Sequence, residues 1–169
     1  MTDFDVDAAM AAARAGNLPA VVDMLERGMS VNAVDEYGGT LMHWAAAGGQ
    51  VHVIEELSRR GGNLRARNVY GNTPMHYAAC NCHAAAIEVL MYLCGGGGAS
   101  DVDNTGWSPL HFLANGASEY PARTDAALTA ILQCTDIDFT AKNNDGRTAA
   151  GVVRVRHNEA FAIKIEQVP

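Results

Sequence analysis

Aromatic and positively charged side chains are scarce in this sequence. Its 169 residues include only 4 Phe, 2 Trp and 5 Tyr, and the 12 Lys and Arg are outnumbered by 19 Asp and Glu, which gives a net charge of −7. Proteins bind nucleic-acid phosphates and anionic membranes mainly through Lys and Arg, so this charge disfavours both kinds of partner. Small side chains make up much of the apolar 49%, which suits closely packed helices.

Long hydrophobic runs and cysteines are also few. No apolar run approaches the ~20 residues that a membrane-spanning helix needs, so we expect no membrane contact. Residues 1–7 are acidic, whereas a signal or transit peptide would be basic. We expect free thiols in a reducing compartment, the cytoplasm with the nucleus as an alternative, for the four cysteines, Cys80, Cys82, Cys94 and Cys134.

A segment of about 33 residues recurs along the chain. Its turn glycines fall at positions 38, 71, 106 and 146, so the spacings are 33, 35 and 40 residues. The clearest copy reads T-P-M-H-Y-A-A at 73–79, and the copies at 40–46 and 108–114 read T-L-M-H-W-A-A and S-P-L-H-F-L-A. A weaker copy opens at Asn143. Such a period is the signature of a stacked-repeat architecture.

Each copy predicts a turn followed by two helices. The glycine supplies the positive φ of the turn, Thr or Ser caps the first helix, and Pro takes its first position. A second helix is indicated by apolar residues at helical spacing, as at Val53, Ile54 and Leu57. No single unit can bury its apolar face alone, so the units should stack into one continuous core.

The period and the T-P-M-H-Y-A-A motif resemble those of the ankyrin repeat family. The resemblance covers roughly residues 7–166. It implies an all-α solenoid of helix-turn-helix units joined by short β-hairpin loops. We divide the single domain, 1–169, into an N-terminal capping repeat at 7–34, full repeats at 35–67, 68–102 and 103–142, and a C-terminal capping repeat at 143–169.

Three histidines recur in register, three residues after the capping Thr or Ser. They are His43, His76 and His111. In the resembled family this residue hydrogen-bonds the backbone and ties neighbouring units together, so we expect a structural role. The last unit has Gly151 at this position. We expect packing between repeats for the aromatic residues that follow the histidines, Trp44, Tyr77 and Phe112.

The sequence departs from the family pattern at four places. Leu41 replaces the usual Pro, and Cys82 stands where the first helix usually ends in Gly. Four consecutive glycines at 95–98 cannot stay helical and predict a flexible turn. The extra residues of the fourth unit predict an extended loop at 115–123, which either carries function or is a surface connection that has drifted.

Catalytic and metal-binding patterns are weak. Cys80, Cys82 and His83, with Cys94, form the best metal candidate, but Cys94 lies about ten residues, or ~15 Å of helix, further on, so the ligands should not converge. Phosphate-binding glycine loops and nucleophile elbows are absent. We therefore expect no enzyme activity, metal, cofactor or small-molecule substrate. A metal- or thiol-dependent enzyme using the first three residues is kept as an alternative.

The family resemblance implies a concave binding surface, built from the hairpin tips and the exposed side of each first helix. An aromatic ridge, consisting of Tyr37, Tyr70 and Trp107, should supply the anchors, because binding hot spots are enriched in Trp and Tyr. The arginines at 59–67 are either a solvated face or a contact for an acidic partner segment. The partner-binding residues carried over by position are Glu36, Tyr37, Arg67, Val69, Tyr70, Asn72, Asn81, Asn104, Thr105, Trp107, Asn115, Asn144, Asp145 and Arg147.

The expected function is recognition of a protein partner by a small, monomeric adaptor or inhibitor. The alternative is a subunit or assembly chaperone of a larger complex. Neither involves chemistry at the binding surface. A preformed groove needs little ordering on binding, which leaves more of the contact energy as affinity.

Elemental analysis of the purified protein tests the metal alternative. We expect no stoichiometric zinc or iron, because the candidate ligands lie on different parts of the repeat and a metal ion needs them at one point. One equivalent of either metal, lost together with activity on chelation, would instead support the site at Cys80, Cys82 and His83.

Overall fold

Ten helices make up the part of the chain that the computed structural model describes, residues 5–116, 121–155 and 159–167. In sequence they follow one another as consecutive pairs. In chain order the helices are α1 (Val6–Ala15), α2 (Leu18–Glu26), α3 (Leu41–Ala47), α4 (Val51–Arg59), α5 (Pro74–Cys80), α6 (Ala84–Leu93), α7 (Pro109–Gly116), α8 (Pro121–Ile131), α9 (Ala149–Val155) and α10 (Glu159–Glu166).

The helices form two layers. The first helices of the pairs, α1, α3, α5, α7 and α9, pack side by side in chain order, while α4, α6 and α8 pack behind them. Apolar side chains such as Leu57, Leu90 and Ile131 are buried between the layers in one continuous core. The predicted all-α repeat solenoid is therefore confirmed. In the described ranges, the β-pairing of the hairpins amounts to a single antiparallel bridge between Val34 and Thr40.

The histidine of each full unit fixes the start of its first helix. The backbone N–H of Thr73 donates to Nδ1 of His76 at 3.1 Å, and the Thr73 hydroxyl lies 2.8 Å from the same nitrogen. Because Nδ1 accepts a hydrogen bond, the ring proton resides on Nε2. That proton is donated to the carbonyl of Trp107 in the next unit, at 3.0 Å.

The same tie recurs along the stack. Nε2 of His43 donates to the carbonyl of Asn72, and Nε2 of His111 donates to that of Arg147, each at 3.0 Å. The structural role expected for these histidines is therefore confirmed. In the last unit the backbone N–H of Gly151 donates to Oγ1 of Thr148 at 3.2 Å, so Thr148 still caps the first helix. Gly151 has no side chain that could form the tie to a further unit.

The first two departures from the repeat pattern are accommodated locally. Helix α3 begins at Leu41 with the same Thr–His cap as the units that have Pro. Cys82 takes a left-handed backbone conformation with φ of +53°, the only non-glycine residue in the described ranges to do so. Such a conformation costs of order 1 kcal/mol for a residue with a Cβ. Burial of the Cys82 side chain, which is 2% exposed, offsets this cost.

The glycine run at 95–98 ends α6 and forms the expected turn, which hydrogen bonds connect to the next unit. The Asp136 carboxylate accepts hydrogen bonds from the backbone N–H groups of Gly98 and Ala99 and from the Ser100 hydroxyl, at 2.9, 3.1 and 2.8 Å. The Thr135 N–H donates to the carbonyl of Gly96 at 2.7 Å. Partial burial alone would raise the pKa of Asp136, but these hydrogen bonds lower it below its usual value.

The expected extended loop at 115–123 is wrong in extent. Helix α7 continues to Gly116 and α8 begins at Pro121, so the two helices enter the segment from both sides. Pro suits the first position of α8 because that position needs no backbone N–H. Residues 117–120 lie outside the described residues. The division of the chain into capping and full repeats stays a prediction.

We expect the stability of the protein to fall between about pH 7 and pH 5. Burial lowers the pKa of His76 to about 4, whereas an unfolded histidine has a pKa near 6.5. Between these values the unfolded chain binds more protons than the folded one. The stabilisation is therefore complete above about pH 6.5 and is lost as the pH falls toward 4. Urea unfolding at both pH values measures the change.

Two variants isolate the contribution of His76. His76→Gln should lower the free energy of unfolding by about 1–3 kcal/mol at neutral pH, because it disturbs the cap and the tie to the next unit. It should also lose less stability than wild type on acidification, since one titrating group is gone. His52→Gln is the matched control, because the His52 side chain is 88% exposed. Wild-type pH dependence in His76→Gln would contradict this account.

Candidate functional site

A groove of about 370 Å³ opens on the layer of first helices, next to the hairpin that precedes α5. A second depression of about 280 Å³ shares Arg14 and Trp44 with the groove and extends it toward α1. We call the larger cavity the aromatic groove. It is lined by Arg14, Trp44, Ala47, Tyr70, Asn72, His76, Tyr77, Cys80, Asn81 and Phe112.

Three half-buried rings from successive units line the aromatic groove. Trp44 and Tyr77 meet edge to face with 6.2 Å between their ring centroids. Phe112 meets His76 in the same way at 5.3 Å. The expected packing between repeats is therefore confirmed for these rings, and each also presents part of its surface to the groove. Rings that are fixed by packing lose little conformational entropy when a ligand covers them.

In the first two full units, the first residue of the hairpin turn forms a hydrogen bond with the ring of its own unit. The Trp44 indole N–H, which can only donate, meets the Asp35 carboxylate at 2.8 Å. The Tyr77 hydroxyl accepts from Nδ2 of Asn68 at 3.1 Å. In the last unit Val152 takes the ring position. The buried Nδ2 of Asn143 there has no hydrogen-bond partner within the described part of the chain.

Backbone hydrogen bonds link the hairpin tips into a row. The N–H of Val69 donates to the carbonyl of Tyr37 at 2.9 Å, and the N–H of Asn104 donates to that of Tyr70 at 3.0 Å. The link continues from Asn144 to Thr105 at 3.0 Å. The tips beside the aromatic groove therefore form a single connected edge.

The sequence matches a family model described as ankyrin repeats, in three copies, over residues 9–99. The chain belongs to the ankyrin repeat family. Ankyrin repeats are generally protein–protein interaction modules and are typically not enzymes. No curated protein matches the chain. None of the helices in the described ranges combines the length and hydrophobicity that crossing a membrane requires.

Two members of the predicted aromatic ridge lie together on this ankyrin repeat scaffold, but the third does not. Tyr37 and Tyr70 stack with 6.4 Å between their centroids and are 51% and 55% exposed. Trp107 packs instead against Phe112 at 5.5 Å and His111 at 6.0 Å, and is half-buried. It comes after Gly106, where the chain has already turned back toward α7. The predicted three-ring ridge is therefore wrong.

The remaining predicted residues divide by exposure. Asn72, Asn81 and Asn115 are half-buried, and the first two line the aromatic groove. Some of the polar residues also support the scaffold, since the side chains of Asn104 and Arg67 donate to the carbonyls of Val69 and Val102. The exposed set is Glu36, Arg67, Val69, Asn104, Thr105, Asn144, Asp145 and Arg147. Their role in binding stays a prediction.

The sequence did not indicate every residue of the aromatic groove. Trp44, Tyr77 and Phe112 recur visibly, but their register predicted packing and gave no sign of the exposed ring edges. Arg14 belongs to no motif, and it lies in the predicted N-terminal capping repeat. Its guanidinium carbon is 5.7 Å from the centroid of the Trp44 ring, which is a cation–π distance.

The cysteines do not gather at one point. None of the four forms a disulfide, and Cys80 is half-buried in the groove while Cys82 is buried. The ring of His83 already donates from Nε2 to the carbonyl of Ala47 at 3.1 Å. Within 5–116, 121–155 and 159–167, no group of three or more His, Cys, Asp or Glu residues is placed to hold a metal ion.

Thiol labelling should distinguish these cysteines. We expect a maleimide to modify Cys80 at least about tenfold faster than Cys82 in the native protein, because Cys80 lines an open groove and Cys82 is 2% exposed. Burial raises the pKa of Cys94 and raises that of Cys134 to about 11, which slows both. Peptide mapping of native and urea-unfolded samples gives the rates. Equal native rates at Cys80 and Cys82 would contradict the placement of the groove.

Proposed function

We propose that this ankyrin repeat protein is a monomeric adaptor or inhibitor that binds a protein partner along its hairpin tips and aromatic groove. One observation carries the proposal. Of the eight large hydrophobic residues that are exposed in the described ranges, five lie on the hairpins: Val34, Tyr37, Val69, Tyr70 and Val102. We call these five residues the hairpin strip; exposed apolar side chains that are concentrated on one part of a soluble protein mark interaction sites.

The hairpin strip and the aromatic groove form one surface. Tyr70 belongs to both, since its exposed ring stacks on Tyr37 and also lines the groove. A partner segment that covers the strip would therefore reach the rings of Trp44 and Tyr77. Aromatic residues at the centre of such a surface carry much of the binding free energy.

The surface is organised before any partner arrives. The backbone links between tips and the histidine ties between units fix the distance from one hairpin to the next. Preorganisation lowers the entropic cost of binding and so raises affinity without new contacts. We place this activity in a reducing compartment, the cytoplasm or the nucleus, because none of the four cysteines forms a disulfide.

A permanent subunit or assembly chaperone is the second candidate. Val155 and Ile163, on the last helix pair, are 58% and 41% exposed, so this pair also presents apolar side chains that a partner could cover. A subunit that uses this pair should self-associate when purified alone. An adaptor should be monomeric, and sedimentation at increasing concentration separates the two.

Affinity capture from the native cell lysate tests the binding surface. We expect Tyr37→Ala/Tyr70→Ala to lose a partner that wild type retains, with affinity falling about 30-fold or more because two hot-spot rings are removed. Both side chains are about half exposed, so the variant should keep its helical circular dichroism. The matched control is Tyr92→Ala. Tyr92 lies on α6, in the other layer, and is 79% exposed.

Each result decides between the surfaces. A partner held by wild type and by Tyr92→Ala, and lost by the folded double variant, supports the hairpin strip as the site. A partner that the double variant keeps and Tyr92→Ala loses would transfer the site to the second-helix layer. No specific partner for wild type, across lysates of the native cell, would contradict the adaptor proposal.

A further inference from the structure

Carboxylates are concentrated where the first hairpin meets α1. A depression of about 410 Å³ is lined there by Asp5, Val6, Asp7, Val34, Asp35 and Glu36. We call its four carboxylates the acidic end. This depression shares Asp7 and Asp35 with the 280 Å³ depression, which in turn shares Arg14 and Trp44 with the aromatic groove. The three depressions therefore lie next to one another, and we call the series that they form, from the acidic end to the aromatic rings, the path.

The charges along this path do not balance. The guanidinium of Arg14 is the one cation among the residues that line its three depressions, against four carboxylates, and it is engaged with the Trp44 ring. Asp35 is occupied by the Trp44 indole and the turn N–H groups. The salt bridges of the described residues include neither Asp7 nor Glu36, and both are exposed.

The pKa of the neighbouring Tyr37 also reflects the negative charge of this region. The charge of Glu36 raises the pKa of the Tyr37 hydroxyl above its usual value, because a second negative charge is unfavourable there. An acidic or phosphorylated segment would meet this repulsion. A basic side chain would be attracted to it, and the attraction would weaken with salt because the carboxylates are exposed.

The other end of the path suits an apolar side chain on an extended backbone. Four Trp, Tyr or Phe rings line the aromatic groove, and Asn72 lies among them with its buried Oδ1 lacking a hydrogen-bond partner within the described ranges. An extended chain presents backbone N–H and C=O groups at regular intervals. Rotation of the Asn72 side chain would allow its amide to pair with one of them.

We infer that the occupant of this path is an extended segment of a protein partner that places a large apolar side chain in the aromatic groove and an Arg or Lys at Asp7 and Glu36. The inference rests on the proposed function and specifies the chemistry of the partner. A single ligand of this kind would pair with both exposed carboxylates and also cover the apolar rings.

The spacing between the two anchors follows from the helix layer. Packed helices lie about 8–10 Å apart, so the two steps from α5 to α1 span roughly 16–20 Å. An extended chain advances about 3.3 Å per residue. The basic residue should therefore be separated from the apolar one by roughly five to six positions.

Selection from a phage library of random peptides, about sixteen residues long, tests this chemistry with a defined probe. We expect peptides enriched on the immobilised wild-type protein to pair Arg or Lys with a large apolar residue at roughly that spacing. One such peptide, synthesised with a fluorophore, then gives affinities. Asp7→Asn/Glu36→Gln should weaken its binding about three- to tenfold at low salt, as expected for two exposed charge contacts, and less at high salt.

Two further variants complete the design. Glu55→Gln/Glu88→Gln removes the same charge from α4 and α6, at exposed positions away from the groove, and should leave the affinity unchanged. Tyr70→Ala should abolish binding of the selected peptides, because it removes a ring of the aromatic groove. Peptides that lack basic residues but still depend on Tyr70 would overturn this inference and leave the proposed function standing. Peptides that bind Tyr70→Ala as well as wild type would contradict both.

The remaining outcomes also count against the inference. Enrichment of acidic peptides would show that the acidic end does not choose the partner. Equal weakening by Asp7→Asn/Glu36→Gln and by Glu55→Gln/Glu88→Gln would show the same. No enrichment at all would overturn an extended segment as the occupant. The proposed function is then judged by the lysate capture with Tyr37→Ala/Tyr70→Ala, which makes no assumption about partner chemistry.

Discussion

The double hydrogen bond of the recurring histidine is the constraint on which the binding surface depends. In His76 one ring nitrogen accepts from the helix start and the other donates to the carbonyl of Trp107 in the next unit. One neutral tautomer satisfies both, and burial favours the neutral form. The hairpin spacing, the row of tips and the alignment of rings in the aromatic groove all follow from this fixed separation between units.

Two sets of ties hold neighbouring units from opposite sides. The histidines act where the hairpins meet the first helices. Asp136 acts at the far end of α6 and α8, where it accepts hydrogen bonds from the N–H groups of Gly98 and Ala99, at the end of the glycine run. The glycines that end α6 also leave backbone N–H groups that Asp136 can bind. The glycine run therefore connects the two neighbouring units. A surface that is fixed on both sides can present exposed rings without collapsing onto them.

The repeat pattern predicted the fold because its signals are local: turn glycines, caps and helical spacing. The candidate site was less predictable. Tyr37 and Tyr70 recur at the same turn position, and they do stack. Trp107 is displaced by two residues in its turn, and it packs against His111 and Phe112 instead of joining the two tyrosines. The contribution of Arg14, and the extension of the groove toward α1, depend on how separate units meet, which no single repeat encodes.

The pairing of turn residue and ring constrains how the groove can change over evolutionary time. The Asp35 carboxylate can accept from either an indole or a phenol, whereas Nδ2 of Asn68 can serve only an acceptor such as the Tyr77 hydroxyl. A change of Tyr77 to Trp would set two donors against each other unless Asn68 became Asp beforehand. A mutational path from Tyr77 to Trp therefore passes through the hairpin first.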